Sequence, residues 1–363
     1  MVQNSSSALT YTDSCIKLLK SLIAEPSFSG EEGKAADIWE KWLFQQGAEV
    51  KRVQNNIYAL STYWNDEKPV LLLNSHMDTV KPSPAYTRDP FTATEEDGRI
   101  FGLGANDAGA SGVTLATTFL TLKDRRDLPV NLILGITASE ENMGEKGMRT
   151  FLTHLKEKNI YPDMAIVGEP TSLKPAIAER GLVVLDAIVE GKSGHAARNE
   201  GINAIYRAID DIDIIRKIRF PRVSKVLGRM SVNVTMINAG TQHNVIPAEC
   251  RYVVDVRTTD AYPNEMIARL LTAVTKHSSF TPRSTRVKPS VLPINNSLYR
   301  AFESLGLTPF VSPTTSDMAL MWDIPSLKIG PGESSRSHSA DEFVYIDEIK
   351  DALDLYPRLI LNL

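Results

Sequence analysis

The first part of the chain alternates between two hydrophobic patterns. Residues 14–47 show the apolar spacing of a helix, and Pro26 and Gly30 divide this stretch into two predicted helices. Short apolar runs then predict buried strands at 70–73, 130–136 and 164–167, with helices at 112–122 and 146–158 between and around them. Continuous apolar strands separated by helices are typical of a largely parallel sheet covered on both faces. The pattern therefore predicts an α/β domain.

The pattern changes near residue 178. Strands are predicted at 182–189, 230–237, 250–257 and 286–292, and helices at 204–218 and 266–274. This β-α-β-β-α-β order is typical of a ferredoxin-like α+β domain. After residue 295 the α/β rhythm returns, and it closes with a helix at 346–361. We predict one α/β domain formed by residues 1–178 and 290–363, with a smaller domain inserted at 179–289.

Composition and charge narrow the class of protein. The 363 residues are 42% hydrophobic and 23% charged, and 40 basic against 44 acidic residues give a net charge of −4. This balance argues against a nucleic-acid binder. No apolar run approaches the roughly 18 residues that cross a bilayer, and the polar start does not resemble a signal peptide. Cys15 and Cys250 are expected to be reduced thiols. We expect a cytoplasmic enzyme without a membrane or nucleic-acid partner.

Polar side chains follow three of the predicted strands. These residues are His76 and Asp78, Glu140 and Glu141, and Glu169. In open α/β sheets, ligands bind outside the carboxyl ends of the strands. A further acid, Asp107, lies in a glycine-rich segment at the predicted start of a helix, where the helix dipole favours a negative charge. The sequence therefore predicts that an imidazole and several carboxylates meet at one sheet edge.

Each of these features has an ordinary structural interpretation. A His-x-Asp pair can be a simple hydrogen-bonded pair, adjacent glutamates can form a solvated turn, and Asp107 can cap a helix. Acids brought together destabilise a fold unless a cation neutralises them, so the joint pattern predicts a metal site. One His with several carboxylates and no Cys suits Zn²⁺, Co²⁺ or Mn²⁺ in a catalytic site. Two such cations about 3.5–4 Å apart, bridged by one carboxylate, can activate water.

Five motifs together carry a resemblance to a known family. They are Ser75-His76-Met77-Asp78, Gly102-Leu103-Gly104 with Asp107, Ser139-Glu140-Glu141, Gly168-Glu169-Pro170 and Ser337-His338-Ser339-Ala340-Asp341-Glu342. In this order they resemble the dinuclear zinc amidohydrolases, which include acetylornithine deacetylase, succinyl-diaminopimelate desuccinylase, aminoacylase and carboxypeptidase G. The acetylornithine and acetylcitrulline deacetylase branch looks closest. One departure is Ala108-Gly109-Ala110, where the family often has Met-Lys-Gly. The resemblance implies a zinc-peptidase-like catalytic domain with an inserted dimerisation, or lid, domain.

The resemblance also implies a role for each site residue. It makes His76 and Glu169 ligands of one metal, Glu141 and His338 ligands of the other, and Asp107 the bridge between them. Asp78 would hydrogen-bond His76 and raise its basicity. Glu140 would act as general base on the attacking water. The implied cofactors are two divalent metal ions, with zinc in the first place and cobalt as the alternative.

Further candidates concern the substrate. His195 in the insert would cross a homodimer interface and stabilise the oxyanion in the partner's site, or else it is a turn residue that caps the next helix. Asn244 lies in a segment, 243–247, that resembles the substrate-contacting loop of the family. Arg257 and Arg336 could bind a substrate carboxylate bidentately, although Arg257 could equally be a surface residue. Asp317 is a candidate for the substrate tail or for a turn.

The sequence thus predicts metal-dependent hydrolysis of an N-acyl amino acid, a small-molecule substrate. N-acetylornithine or N-acetylcitrulline in arginine biosynthesis fits the resemblance best, and an N-succinyl analogue stays open. Succinyl-diaminopimelate desuccinylase and a di- or tripeptidase of the same family are alternatives. A more remote alternative is a non-catalytic, metal-stabilised dimeric binding protein, which would have no need of Glu140.

Overall fold

The computed structural model describes residues 4–198 and 200–363, and the chain divides into two compact units. The first unit contains the described residues up to Ile177 together with Leu292–Phe310 and Ser316–Leu363. The second contains Ala178–Val291 and Val311–Thr315. Within the described ranges, no helix combines the length and apolar character needed to cross a membrane.

The first unit is built from alternating helices and strands. Its helices are α1 (Asn4–Ile23), α2 (Gly33–Gln45), α3 (Ala110–Leu122), α4 (Met148–Glu157), α7 (Ser297–Ser304) and α8 (Ile346–Leu361). Its strands are β1 (Val50–Val53), β2 (Asn56–Leu60), β3 (Val70–His76), β4 (Thr94–Glu96), β5 (Arg99–Phe101), β6 (Asn131–Thr137), β7 (Met164–Val167), β17 (Ser326–Lys328) and β18 (Phe343–Tyr345). Strands β8 (Ala176–Glu179) and β16 (Phe310–Ser312) each contain residues of both units.

The central sheet of the first unit has the strand order β1-β2-β6-β3-β7-β17, followed by β8. The four strands β6, β3, β7 and β17 are mutually parallel, whereas β1 and β2 form an antiparallel hairpin at one edge. β4, β5 and β18 form a separate three-stranded sheet. The predicted α/β class with a mostly parallel sheet is confirmed.

Both faces of the central sheet are covered, which explains the unbroken apolar runs of its strands. Leu71 and Leu73 of β3 face a core formed with α1, α2, α3 and α8. Leu72 points to the opposite face and packs in a second core with Phe151 and Leu155 of α4. Because every residue of β3 and β6 is buried, the side chains that follow these strands are fixed by a rigid base.

The second unit has the β-α-β-β-α-β order expected for a ferredoxin-like domain. Its main elements are β9 (Gly181–Glu190), α5 (Ala204–Lys217), β11 (Ser231–Ala239), β13 (Glu249–Thr258), α6 (Ile267–Val274) and β14 (Ser278–Pro282). The four strands form an antiparallel sheet in the order β11-β13-β9-β14. Alternate residues of β9 pack against α5 and α6. Short strands β10 (Gly194–His195), β12 (Val245–Ile246) and β15 (Ser290–Val291) complete the unit.

The predicted strand at 286–292 is wrong in position. The fourth strand of the insert's sheet is β14, and only β15 within the predicted range forms a strand, paired with β8 instead. Pro289 lacks the N–H that a ladder position in the middle of 286–292 would use. β14 is an edge strand with a single neighbour, so its sequence needs no strong apolar pattern.

Asp211 on α5 holds the start of β14 in place. Its buried carboxylate accepts hydrogen bonds from Lys276 N (2.8 Å), His277 N (2.9 Å) and Ser278 Oγ (2.6 Å). Burial alone would raise the pKa of Asp211, but these hydrogen bonds outweigh it and lower the pKa below its usual value. The insert thus uses a buried acid to join a helix to an edge strand.

Candidate metal centre

His76 ends the central strand β3 and is completely enclosed. Its Nδ1 donates a hydrogen bond to the backbone carbonyl of Asp78 at 2.9 Å, which fixes the ring orientation and the tautomer. The other ring nitrogen, Nε2, therefore faces outward from the strand. It lies 3.3 Å from Asp107 Oδ1 and 3.7 Å from Glu169 Oε1, the acid that follows β7. This half of the site contains one imidazole and two carboxylates.

The segment before α3 presents Asp107 to the site. Gly104 has φ +75°, a left-handed conformation that favours glycine, and a Cβ there would lie 2.6 Å from the Thr79 side chain. The buried carboxylate of Glu342 accepts hydrogen bonds from the N–H groups of Gly104 (3.1 Å), Asn106 (2.8 Å) and Asp107 (2.9 Å). Glu342 therefore fixes the backbone from which the Asp107 side chain extends.

Glu140 and Glu141 lie on a tight turn after β6. The Asp78 carboxylate accepts a hydrogen bond from Glu140 N through Oδ1 (2.9 Å) and one from Glu141 N through Oδ2 (3.1 Å). Ser139, just before them, has φ +55°. Asp78 thus positions His76 through its backbone carbonyl and the turn through its side chain. Ligand atoms of Glu140, His76 and Glu169 lie within 4.8 Å of one another.

His338 completes the second half of the site. Its Nε2 lies 3.0 Å from Glu141 Oε2 and 3.6 Å from Asp107 Oδ2. Asp107 therefore directs Oδ1 toward His76 and Oδ2 toward His338, with an imidazole and a glutamate on each side. The side chain of His338 is half exposed, whereas His76 is buried, so the second half of the site is the more open one.

The donor set fits two divalent cations. Zinc binds His nitrogen and carboxylate oxygen at about 2.0–2.2 Å, so neighbouring ligand atoms of a tetrahedral shell lie roughly 3.3–3.6 Å apart. The corresponding distances here run from 3.0 to 3.7 Å. Imidazole and carboxylate ligands without thiolates are those of catalytic rather than structural sites. His76, Glu169, Glu141, His338 and Asp107 could therefore hold two cations, with Asp107 between them.

Electrostatics point to the same chemistry. Burial raises the pKa of Glu169 to about 8 and that of Glu140 well above its usual value, and neighbouring carboxylates add to both shifts. Burial, together with nearby Asp107, raises the pKa of Glu342 to about 8. The contact with Glu141 raises the pKa of His338 to about 9. Buried acids this close together need a counter-charge, which two divalent cations supply.

Two candidates of the insert lie next to each other. His195 in β10 pairs with Val245 in β12, and Ala196 N donates to the Asn244 carbonyl at 3.0 Å. Both His195 and Asn244 are exposed. His195 Nδ1 accepts a hydrogen bond from Ala197 N at 3.2 Å, which matches the alternative of a turn residue at a helix start and leaves Nε2 directed elsewhere. The structure thus groups the two residues on one surface of the second unit.

The two arginine candidates bind acids of the same chain. Arg257 Nε and Nη2 donate to the carboxylate of Asp255 at 2.9 and 3.1 Å. Arg336 Nη1 and Nη2 donate to the carboxylate of Glu348 at 2.8 and 3.1 Å, and its guanidinium lies over the rings of Phe343 and Tyr345. Each guanidinium thus has a bidentate carboxylate partner within the chain, and a substrate carboxylate would have to use its other N–H groups or replace that partner.

Asp317 begins the short 3₁₀ helix Asp317–Ala319, which matches the turn alternative. It is buried, and its Oδ2 accepts a hydrogen bond from Thr137 Oγ1 at 2.8 Å in the last residue of β6. It supports the strand end that carries Glu140 and makes no surface for a substrate tail. Sequence reasoning also missed the structural roles of Glu32 and Glu342. In the sequence, Glu32 is marked only by the glycine that follows it, and Glu342 only by its place at the end of the motif 337–342.

Comparison with known proteins places this chain in a family. Residues 72–362 match the sequence profile of peptidase family M20/M25/M40. The chain therefore belongs to this family of peptidases, and the resemblance found from the five motifs is confirmed. It is a hydrolase that depends on metal ions and acts on amide bonds.

Individual relatives align over almost the whole chain. The acetylornithine deacetylase of Edwardsiella ictaluri (strain 93-146) is 30% identical over 381 residues, covering 97% of this chain and 98% of that protein. The acetylornithine deacetylase of Proteus mirabilis (strain HI4320) is 28% identical and covers 96% of each chain.

Solved structures share the fold. Aminopeptidase PepT from Bacillus cereus ATCC 10987 superposes with a TM-score of 0.77 at 18% identity, covering 97% of this chain and 98% of that one. A dinuclear metal binding peptidase of the M20 family from Bacillus subtilis has a TM-score of 0.73 at 17% identity, with 97% and 98% coverage. At these identities the likeness establishes the architecture and leaves the substrate open.

Proposed function

We propose that this enzyme removes the acyl group from an N-acyl amino acid, with N-acetylornithine or N-acetylcitrulline as substrate in arginine biosynthesis. The observation that carries this proposal is the two-sided arrangement of Asp107 between the His76–Glu169 and His338–Glu141 pairs, with Glu140 beside it. The choice of substrate is supported by the full-length similarity to acetylornithine deacetylases. The N-succinyl analogue, a desuccinylase and a peptidase are the competing assignments.

The proposed ligands are His76 and Glu169 for one ion, His338 and Glu141 for the other, and Asp107 for both. When bound, the two ions supply Lewis acidity that polarises the amide carbonyl and lowers the pKa of water. We propose zinc as the metal in the cell, with cobalt as a functional substitute, because both accept imidazole and carboxylate in open sites.

Glu140 is the proposed general base. It lies within the cluster of His76 and Glu169 ligand atoms, and its backbone N–H is anchored on Asp78. In this role its carboxylate takes a proton from the attacking water and later delivers it to the leaving amine nitrogen. General acid–base catalysis of this kind contributes about 10²–10⁴-fold.

His195 is proposed to donate a hydrogen bond to the oxyanion from the partner subunit of a homodimer, with Asn244 beside it touching the substrate. We further propose residues 179–289 as the dimerisation domain and the cytoplasm as the location. Support for a dimer comes from the apolar side chains exposed on α5 and on edge strand β11, notably Tyr206 (68% exposed) and Met236 (61%). Exposed apolar surface beside a free strand edge favours association.

Amine release from a substrate panel tests the proposal. The panel contains N-acetylornithine, N-acetylcitrulline, their N-succinyl analogues, N-succinyl-diaminopimelate and a dipeptide, each with zinc or cobalt and with chelator. We expect chelator-sensitive turnover of an acetylated compound. Turnover of the dipeptide alone would assign a peptidase, and no turnover with two metals bound would indicate a binding protein.

The role of Glu140 is tested with Glu140→Gln, matched by Glu157→Gln on the exposed side of α4. We expect Glu140→Gln to keep its fold and two metals per chain and to lose at least about 10²-fold in kcat. The matched variant should resemble the wild type. Near-normal turnover of Glu140→Gln would exclude the mechanism.

The proposed action of His195 across the dimer is tested by mixing two inactive variants, Glu140→Ala and His195→Ala. If His195 acts in the partner's site, a mixed dimer contains one intact site and activity returns. If it acts within its own chain, every site in the mixture stays defective. Light scattering on the same samples reports whether dimers form.

A further inference from the structure

Residues 27–32, in the loop between α1 and α2, pack against the segments that follow the catalytic strands. Ser27 Oγ donates to the Met77 carbonyl at 2.9 Å, and Thr79 N donates to the Ser27 carbonyl at 2.9 Å. Ser29 Oγ donates to Asp78 Oδ2 at 2.6 Å. This loop therefore holds the segment that follows β3 through three hydrogen bonds, although it contributes no residue to the metal centre.

Glu32 extends the same loop to the turn that follows β6. The side chain is buried, with 1% of the residue exposed. Its Oε1 accepts hydrogen bonds from Ser139 N (3.0 Å), Ser139 Oγ (2.8 Å) and Gly30 N (2.6 Å), and its Oε2 accepts one from Asn55 Nδ2 (3.0 Å). A charged acceptor with this many donors holds its neighbours strongly.

The residue that Glu32 holds has an unfavourable conformation. Ser139 has φ +55°, which residues with a Cβ adopt only where surrounding contacts impose it. The next two N–H groups, of Glu140 and Glu141, are bound by Asp78. Three consecutive N–H groups of the turn are thus bound by two buried carboxylates, and Glu32 supplies the first of these contacts.

We propose that Glu32 is a positioning residue for the general base: it holds Ser139 in the left-handed conformation that aims Glu140 at the reacting atoms. The proposal rests on the proposed role of Glu140. A displacement of about 1 Å at a catalytic group can cost roughly 10²-fold in rate. Glu141 is anchored separately through Asp78, so the metal ligands should stay in place without Glu32.

The adjacent acid provides a matched control. Glu31 carries the same charge in the same loop but is exposed. We expect Glu32→Ala to lower kcat by about 10²-fold while KM stays within about threefold and two metals remain bound per chain. Glu31→Ala should leave kcat within about twofold. Glu32→Gln keeps the oxygen that accepts from Ser139 and should restore most of the activity.

The variant Asn55→Ala distinguishes the proposed positioning role of Glu32 from a purely structural role. This variant removes one hydrogen bond to Glu32 but leaves both contacts with Ser139, so we expect kcat within about threefold of the wild type. Thermal unfolding and circular dichroism of every variant report the folded fraction at the assay temperature. Equal losses of kcat in Asn55→Ala and Glu32→Ala would overturn the proposal, because positioning requires the loss to follow the Ser139 contact.

One further variant, together with Glu140→Gln, keeps the test decisive. If Glu32→Ala does not fold, Glu32→Asp retains the charge but withdraws the carboxylate from Ser139, and it should show a larger loss of kcat than Glu32→Gln. Wild-type kcat in Glu32→Asp would then overturn the proposal. Normal turnover of Glu140→Gln would refute the proposed mechanism itself, whereas an inactive Glu140→Gln with a fully active Glu32→Ala would refute only the positioning role.

Discussion

Glu342 offers a direct way to test whether the metal centre depends on a carboxylate that binds no metal. Replacing it with Ala removes the acceptor of three N–H groups, those of Gly104, Asn106 and Asp107. The segment that carries Asp107 would then lose its main anchor. Because Asp107 faces both halves of the site, both cations should be affected.

The expected magnitude follows from the contacts. Removing groups that orient metal ligands typically costs 10–100-fold in metal affinity, which corresponds to about 1.4–2.7 kcal/mol. Each buried N–H left without a partner costs about 1–3 kcal/mol of stability, so we expect the free energy of unfolding of Glu342→Ala to fall by roughly 3 kcal/mol or more. Glu342→Gln keeps the oxygen shared by Asn106 N and Asp107 N and should lose about half as much.

Metal affinity would be measured by stripping the protein with chelator and titrating zinc against a chromophoric competitor. Urea unfolding of the stripped protein gives the stability separately. Glu303→Ala and Glu303→Gln, at an exposed position of α7, serve as matched controls. Wild-type affinity for both ions in a folded Glu342→Ala protein would refute the reasoning.

Three further predictions concern other parts of the chain. Asp211→Asn should lower the free energy of unfolding of the insert by about 3 kcal/mol at pH 7, as measured by urea unfolding. Because folding lowers the pKa of Asp211, the difference in stability between wild type and variant should be complete above about pH 4. It should shrink as the pH falls through the folded-state pKa. Arg336→Met should lower the free energy of unfolding by about 2 kcal/mol because it removes the ion pair with Glu348, while KM should change less than threefold. A tenfold rise in KM would instead support a role of Arg336 in substrate binding. Cys15 is buried and its pKa is raised to about 12, and Cys250 is also buried, so a disulfide reagent at pH 8 should label neither thiol until urea is added.

The grouping of the site residues was predictable because the strands that carry them are buried on both faces. An unbroken apolar run such as 70–73 identifies a central strand, and the carboxyl ends of parallel strands meet at one edge. His76, Glu141 and Glu169 therefore had to approach one another. The close approach of His338 had no such basis, since it lies in a loop far along the chain, and only the motif indicated it.

The arginine candidates show what residue type alone cannot decide. A guanidinium suits a substrate carboxylate and a protein carboxylate equally well. For Arg257 the partner was visible, since Asp255 lies two residues earlier on the same strand face. For Arg336 the partner Glu348 lies in the first turn of α8, and only the tertiary structure brings it near.

The roles of the buried acids outside the ligand set could not be predicted from the sequence, for a different reason. Glu32 and Glu342 have backbone N–H groups as their main partners, and every residue except proline carries one. No residue type marks such a donor in a sequence. Glu32 also lies more than a hundred residues from Ser139. A loop acid therefore resembles a solvated charge until the fold is known.

The way the second unit joins the first also affects folding kinetics. The chain enters it through β8 and leaves through β15, and these two strands pair directly, with Ala178 opposite Val291. Residues 177 and 292 are therefore neighbours, joined by a hydrogen bond of 2.7 Å. Once the insert has folded, residues 177 and 292 are held together, so that only segments 168–177 and 292–325 remain between β7 and its parallel partner β17. Early folding of the insert thus reduces the loop-closure entropy and the effective contact order of the larger sheet.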